Sequence, residues 1–283
     1  MNILTFDIEE WFHILDNKST KTEVDWGQYE SRIHKNMDRI FKILEDNDVD
    51  ATFFCLGWVA KKYPEVIKKI DELGYEIGTH SNLHQLAYEM TQKEYEEDLK
   101  QSIYELEDII GKKIISYRAP GFSIKKDNLW AFESLHKFGI KNDCSIFPTN
   151  RAHGGISNFA ISEPCILVHN GVSLKEFPIN TTNILGKKTI FSGGGYFRLF
   201  PYSLIKSKSK QSQYIMTYFH PRDFDKNQPL IDDLSIFRKF KSYYGLNNCE
   251  KKLRNWLNDF NFIDLKQADG LIDWSKANII EIS

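Results

Sequence analysis

The sequence predicts an α/β fold assembled from parallel β/α units, and three observations carry that prediction. Short apolar runs alternate with segments of helical period along most of the chain, the pattern of βα repeats. An ionisable side chain follows the carboxyl end of at least four predicted strands: Asp7, His80, Arg118 and His220. In β/α barrels that rim is where active sites are built. No repeat, low-complexity tract or composition break divides residues 1–283, so one domain is expected, with about residues 226–283 a mostly helical extension packed on it.

In chain order, residues 2–6 read as a short buried strand that runs into Asp7-Ile8-Glu9-Glu10. Carboxylates directly after an apolar strand are costly unless something uses them. Residues 17–29 are polar and predict a loop. Ile33, Met37, Ile40, Phe41 and Leu44 then recur at helical spacing. Residues 50–56 form the next strand, and Pro64 opens a helix, a position that suits proline. Residues 75–78 are a third strand, which delivers His80. Thr91 with Glu94 predicts a capped helix start, with Leu99, Ile103, Leu106 and Ile110 inward and Gly111 at its end. Residues 113–117 are a fourth strand, and residues 127–138 a helix. Residues 149–163 show no period and predict a surface excursion. Residues 166–168 and 174–179 read as strands. The Gly193-Gly194-Gly195 run predicts a flexible turn rather than a phosphate loop, because no G-K-[ST] follows it, and places Tyr196 and Arg198 to reach a ligand. Residues 207–213 are a polar loop, and residues 214–219 the last strand, which delivers His220.

A chain that is 41% hydrophobic and 27% charged has ample material for a buried core. A formal net charge of -2 speaks against nucleic acid or an anionic membrane as partner. Cys55, Cys144, Cys165 and Cys249 form no C-x-x-C pair and no zinc cluster, which suits buried thiols in a reducing compartment. Residues 1–7 lack the pattern of a secretory leader, and no apolar run approaches the roughly 20 residues needed to span a bilayer. A cytoplasmic protein without a membrane span is therefore expected. Nothing in the sequence fixes an oligomeric state.

His80 and His84, four residues apart, are the pair around which the rest can be organised. One turn of helix or a tight loop-to-helix turn would put both imidazoles on one side. Alone, H-x-x-x-H is a weak signal that fits two surface histidines on a helix start better than a metal pair. With Glu9 the set becomes two histidines and a carboxylate, the three-ligand pattern of catalytic zinc and related metals. Asp7 is then a free carboxylate suited to deprotonating water, Arg118 can hold it ionised, and His220 is the remaining general-acid candidate. The set describes metal-assisted hydrolysis of an amide or ester. His13 is expected to be structural, and His34, His136, His153 and His169 to be surface or loop residues.

Five segments in this order resemble the NodB-like polysaccharide deacetylases, carbohydrate esterase family 4: Thr5 to Glu9, Thr79 to His84, Tyr117 to Pro120, Asp143 to Ser145, and Tyr218 to His220. Leu56-Gly57-Trp58, Gly193 to Arg198 and Phe219-His220-Pro221 bring the chain closest to the branch tied to exopolysaccharide and O-antigen loci. The resemblance implies a distorted (β/α) barrel with fewer than eight regular strands and N-deacetylation of an acetamido sugar, free or nucleotide- or lipid-linked. It implies Asp7 as base, His220 as acid, and Arg118 orienting Asp7. Glu9, His80 and His84 would hold a divalent metal, Zn2+ first among the candidates and other divalent ions next. Asp143 falls on the motif whose aspartate supports the acid histidine. The chain departs from the family pattern in placing Glu9 after an intervening residue, which keeps Glu10 open as the ligand, and in having Tyr218 where an aliphatic residue is common. Many relatives are secreted. The rival readings are a deformylase or ureide/imide amidohydrolase on the same scaffold, and a sugar-binding pseudoenzyme.

Overall fold

The structure, a computed structural model, describes residues 1–283 apart from 16, 150–152 and 185. The amino-terminal strand is β1 (Asn2–Ile3) and β2 (Thr5–Ile8), interrupted at Leu4. There follow α1 (Glu23–Trp26), α2 (Ile33–Asn47), β3 (Thr52–Cys55), α3 (Gly57–Lys62), α4 (Pro64–Glu72), β4 (Glu76–Thr79), α5 (Gln92–Ile110), β5 (Ser116–Tyr117), α6 (Trp130–Lys137) and β6 (Asn142–Asp143). The second half contains β7 (Cys165–His169), β8 (Val172–Glu176), β9 (Thr182–Ile184), β10 (Lys187–Thr189), α7 (Gly194–Leu199), α8 (Tyr202–Gln211), β11 (Ile215–Met216), α9 (Ile236–Tyr243), α10 (Leu246–Asp259), α11 (Leu265–Leu271) and β12 (Asn278–Glu281).

Among the described residues an eight-stranded sheet runs in the order β12-β7-β8-β6-β5-β4-β3-β2. Its pairings are parallel except for the β7–β8 hairpin. That hairpin turns at Asn170 and Gly171, both with positive φ (45° and 80°), the two-residue turn whose twist matches the flanking strands. Residues 2–8 act as one stave. They pair with β3 on one side and with β11 on the other, through Asn2↔Ile215 and Ile3↔Met216, and a parallel bridge Phe6↔Phe219 extends the second pairing. The remaining gap, between β8 and β11, is spanned by the Asn180 side chain. Its Oδ1 accepts from Met216 N and from Ser192 Oγ, each at 3.1 Å. The parallel wall is thus a distorted barrel of fewer than eight regular strands, as the sequence implies, and β7 and β12 lie outside it.

β2 and β3 are buried along their whole length, because helices cover one side and the barrel interior the other. Phe6 stacks on Phe53 with ring centroids 5.4 Å apart, and Phe219 closes on Phe6 from the other stave. The predicted α5 cap is present, Thr91 and Glu94 bonding reciprocally.

Three expectations change. Residues 17–29 hold a 3-10 turn and α1 rather than a plain loop. Most of the predicted polar loop at residues 207–213 is the second half of α8, anchored when Trp256 Nε1 donates to Ser209 Oγ. The predicted flexible glycine turn is the ordered start of α7. Gly193 lies so close to the last strand that an added Cβ would stand 2.1 Å from Tyr218 O, which only glycine allows. Within residues 226–283, α9, α10 and α11 precede β12, which joins the sheet beside β7. Part of the predicted excursion at residues 149–163 lies outside the described residues, at positions 150–152.

Candidate active site

The predicted site residues lie at the carboxyl ends of barrel strands or in the loops after them, and all but Asp143 converge on one point. Asp7 and Glu9 are two apart at the end of β2, so strand alternation turns both to the same side. His80 follows β4, Arg118 follows β5, and His220 follows the stretch that bridges β2. One donor atom from each of Glu9, His80 and His84 lies within 4.8 Å of the others.

The histidine pair is not on a helix. His80 leaves the strand, and the chain then passes through two left-handed residues, Ser81 (φ 73°) and His84 (φ 54°). Non-glycine residues adopt that conformation at a cost and persist in it only where surroundings enforce it. Here the enforcement comes from α5: Asp98 accepts from Asn82 N at 2.8 Å and from Leu83 N at 3.0 Å.

The donor set suits a divalent ion. His80 Nδ1 lies 2.8 Å from the Arg118 carbonyl, so it carries the proton and leaves the Nε2 lone pair free. Burial pushes the His80 pKa down to about 4, against the pull of the nearby carboxylates, so the ring is neutral as a ligand must be. Glu9 is buried, yet the imidazoles of His84 and His220 outweigh burial and bring its carboxyl down to about 2. Glu9 Oε2 stands 2.8 Å from His84 Nε2 and makes no hydrogen bond otherwise. Glu10 is employed elsewhere. Its carboxylate accepts from Ser31 Oγ at 2.5 Å and from the backbone N–H groups of Arg32 and Ile33, capping α2.

Asp7 is held by a fully enclosed arginine. Arg118 Nη1 donates to Asp7 Oδ1 and to Thr5 Oγ1, both at 2.7 Å, and the guanidinium carbon lies 4.4 Å from the Phe54 ring centroid. Arg118 has no exposed surface, so it acts only through Asp7. His220 faces the same point from the neighbouring stave, past the Phe6↔Phe219 bridge. Its Nε2 is 3.9 Å from Asp7 Oδ2 and 3.9 Å from Glu9 Oε1. Burial lowers the His220 pKa, but the Glu9, Asp223 and Asp7 carboxylates outweigh it and the net shift is upward.

The residue that supports His220 is Asp223, not Asp143. Asp223 Oδ2 lies 3.0 Å from His220 Nδ1, and its Oδ1 meets Arg198 Nε at 2.9 Å. Burial raises the Asp223 pKa, and Arg198 together with His220 reverses that into a strong depression. Asp143 is instead a buried carboxyl bonded to Ser145 Oγ at 2.6 Å, and Ser145 Oγ in turn accepts from Ala119 N, beside Arg118. Burial raises its pKa, as it does for its strand partner Glu176. Arg198 does not reach out of the glycine turn toward a ligand. It is buried and also donates to the carbonyls of Lys241, Ser242 and Tyr244.

These groups floor a cleft of about 570 Å³ walled by α7, α9 and the loop after β5. His13 and His153, set aside in the sequence, line it too. His13 is buried; Glu10 N donates to its Nδ1 at 3.3 Å, which leaves the ring proton on Nε2, an atom without a partner. Tyr218 is buried in the cleft wall, edge-on to Phe122 with ring centroids 5.1 Å apart. Among the described residues no helix is long and apolar enough to cross a membrane.

Residues 13–140 match the family model described as polysaccharide deacetylase. The chain carries a polysaccharide deacetylase domain. Residues 144–269 match a second family model, described as a domain of unknown function, DUF3473. The deacetylase match includes His80, His84 and Arg118 but stops short of Asp7, Glu9 and His220, which the fold brings to the same rim. The chain is 26% identical over 136 residues to a peptidoglycan deacetylase of Helicobacter pylori, 48% of this chain and 45% of that one. It is 31% identical over 81 residues to a peptidoglycan-N-acetylglucosamine deacetylase of Bacillus cereus, covering 29% and 30%. It therefore spans less than half the length of these curated relatives. A solved structure from Mycobacterium smegmatis, assigned to the polysaccharide deacetylases, aligns over 100% of this chain and 93% of that one, with TM-score 0.66 and 18% identity. A 4-alpha-glucanotransferase of Thermococcus litoralis aligns with TM-score 0.61 at 10% identity, over 100% of this chain and 41% of that one. At such identities both show that the deacetylase domain shares their fold.

Proposed function

We propose that this chain hydrolyses the N-acetyl amide of an acetamido sugar in surface-polysaccharide biosynthesis. Glu9, His80 and His84 would hold a divalent ion, Zn2+ first. The observation that carries the reading is the opposition of Asp7 and His220 across 3.9 Å beside the three-ligand set, each locked by its own buried arginine. A binding protein needs neither a base nor an acid held so firmly.

A bound ion would supply Lewis-acid polarisation of the acyl carbonyl and a more acidic water. Asp7 takes the proton from the attacking water, and Arg118 holds it aimed. The water oxygen bonds to the acyl carbon. His220, its Nδ1–H held by Asp223, gives the Nε2 proton to the departing nitrogen as the C–N bond breaks, and acetate and the free amine leave. Four buried thiols, Cys55, Cys144, Cys165 and Cys249, support a cytoplasmic setting.

The test is acetate release from N-acetyl-sugar nucleotides and N-acetylated oligosaccharides by protein of known metal content, with and without chelator. Release that needs the metal and returns with added Zn2+ is expected. Full activity in metal-free protein would end the ligand assignment.

A further inference from the structure

The charge on the cleft wall points to the kind of sugar it takes. Among the described residues the acids lining the cleft are Asp7, Glu9 and Asp223, and all three are committed, to Arg118, to the imidazoles and to Arg198. Arg198, Arg222, Arg238 and Lys241 line it as cations. Arg198 is spent on Asp223, and Arg238 reaches the Leu15 carbonyl. Arg222 and Lys241 remain.

Arg222 sits two residues after His220. Its Nε donates to the neutral Gln228 side chain at 3.1 Å, and its guanidinium carbon is 5.8 Å from the Tyr243 ring centroid. Its Nη2 is sealed from water and has no hydrogen-bond partner, and no carboxylate among the described residues pairs with it. Burial, and then the Arg198 charge, depress its pKa below the ordinary arginine value, against the weaker pull of Tyr243, Glu9 and Asp223. Arg222 is partly exposed and has no carboxylate in hydrogen-bond contact among the described residues, and a planar fork with an unused donor suits a carboxylate or phosphate. Lys241, on α9, has no carboxylate partner among the described residues either, its ammonium resting 4.3 Å from the Phe237 ring centroid. Tyr196, Phe240 and Tyr244 line the same wall and are partly exposed, so they offer faces to a sugar ring.

We propose that the cleft takes an acetamido sugar bearing an acidic group next to the reacting ring, with Arg222 gripping that group and Lys241 drawing it in. The inference rests on the deacetylase reading and narrows its substrate class. The shared chemistry is an anionic oxygen cluster. Its source can be the phosphate of an activated precursor or the carboxylate of a neighbouring uronic acid.

The experiment is equilibrium binding to the full, zinc-loaded chain by calorimetry. The probes are N-acetylglucosamine 1-phosphate, UDP-N-acetylglucosamine, a hyaluronan tetrasaccharide and neutral chitotetraose. At low salt at least one acidic probe should bind tenfold or more tightly than chitotetraose, and whether it is a phosphate or the uronate identifies the source. That preference should fall about tenfold in Arg222→Met, fall in part in Lys241→Ala, and shrink as salt rises. Lys241 is exposed, so that variant and the salt series carry the test where Arg222→Met does not fold. Equal binding of neutral and acidic probes overturns the proposal. So does an acidic preference that survives both substitutions, since the anion would then be held by the metal site alone. Acetate release on the same samples separates the two readings. Arg222-dependent binding without any release sinks the hydrolase and leaves the acidic site standing. Release with no acidic preference does the reverse.

Discussion

In the proposed mechanism each proton-transfer group has a buried arginine behind it: Arg118 directly behind Asp7, Arg198 behind His220 by way of Asp223. The second pair sets a pH dependence with a definite sign. The His220 pKa is net raised because carboxylates, Asp223 among them, outweigh burial, so the acid form persists above the usual histidine range and is lost as pH rises through the raised value. Replacing Asp223 by Ala removes two of the causes that raise it, its hydrogen bond and its charge. The basic limb of kcat/KM should therefore move to lower pH, with kcat reduced on the order of tenfold to a hundredfold. A pH–rate profile checks this, and an unmoved basic limb would mean that another group donates the proton. The candidate ligands and proton-transfer residues could be proposed from the sequence because Asp7, Glu9, His80 and His220 stand at or soon after the ends of apolar runs. Asp223 could not. It reaches His220 only because Pro221 starts a 3-10 turn that folds the chain back three residues later. Asp143 was misread because a strand end fixes the rim but not the partner, and its side chain turns to Ser145 instead.

Secondary elements act on the site through what they hold in place. The loop that carries His84 has two left-handed residues; Asp98 and Ser102 of α5 and the N–H groups of Gly57 and Trp58 bond to it. Asp98→Ala would leave Asn82 N and Leu83 N without their acceptor, and each lost bond of this kind is worth about 1–3 kcal/mol when the donor stays buried. Zinc affinity, measured by chelator competition, should drop at least tenfold while the global fold persists. Unchanged affinity would show that the loop holds its shape without Asp98. Such a contact could not be read in advance, since residues 82 and 98 are joined only by the packing of α5 on the sheet. The same limit explains α8, whose alternating Lys and Ser residues give no apolar period and which is fixed by Trp256 and Asp259 from α10. Elements with a strong period or cap, such as α2 and α5, were legible almost to their ends.

At the scale of the whole molecule, the stave carrying Asp7 and Glu9 is clasped between β3 and β11, so the two matched segments of the chain share a wall and one hydrophobic cluster runs from Leu4 to Phe262. The segment matching DUF3473 supplies His220, Asp223, Arg198 and the cationic wall, and the deacetylase match supplies His80, His84 and Arg118. A chain built this way should unfold as one unit. Calorimetry should show a single transition whose calorimetric and van't Hoff enthalpies agree, and two separable transitions would contradict the single-domain expectation. The alternation of strands and helices made the barrel legible, whereas its closure through Asn180 and the glycine contact with Tyr218 joins residues far apart in sequence.

The central claim is that Asp7 moves a proton while Glu9, two residues away, holds the metal. Metal content and acetate release measured on the same Asp7→Asn preparation test it most directly. The account predicts zinc bound at the level of the unsubstituted protein and turnover lower by about a hundredfold to ten-thousandfold. Asp7→Asn protein that has lost its zinc, or that keeps near-normal turnover, would contradict it.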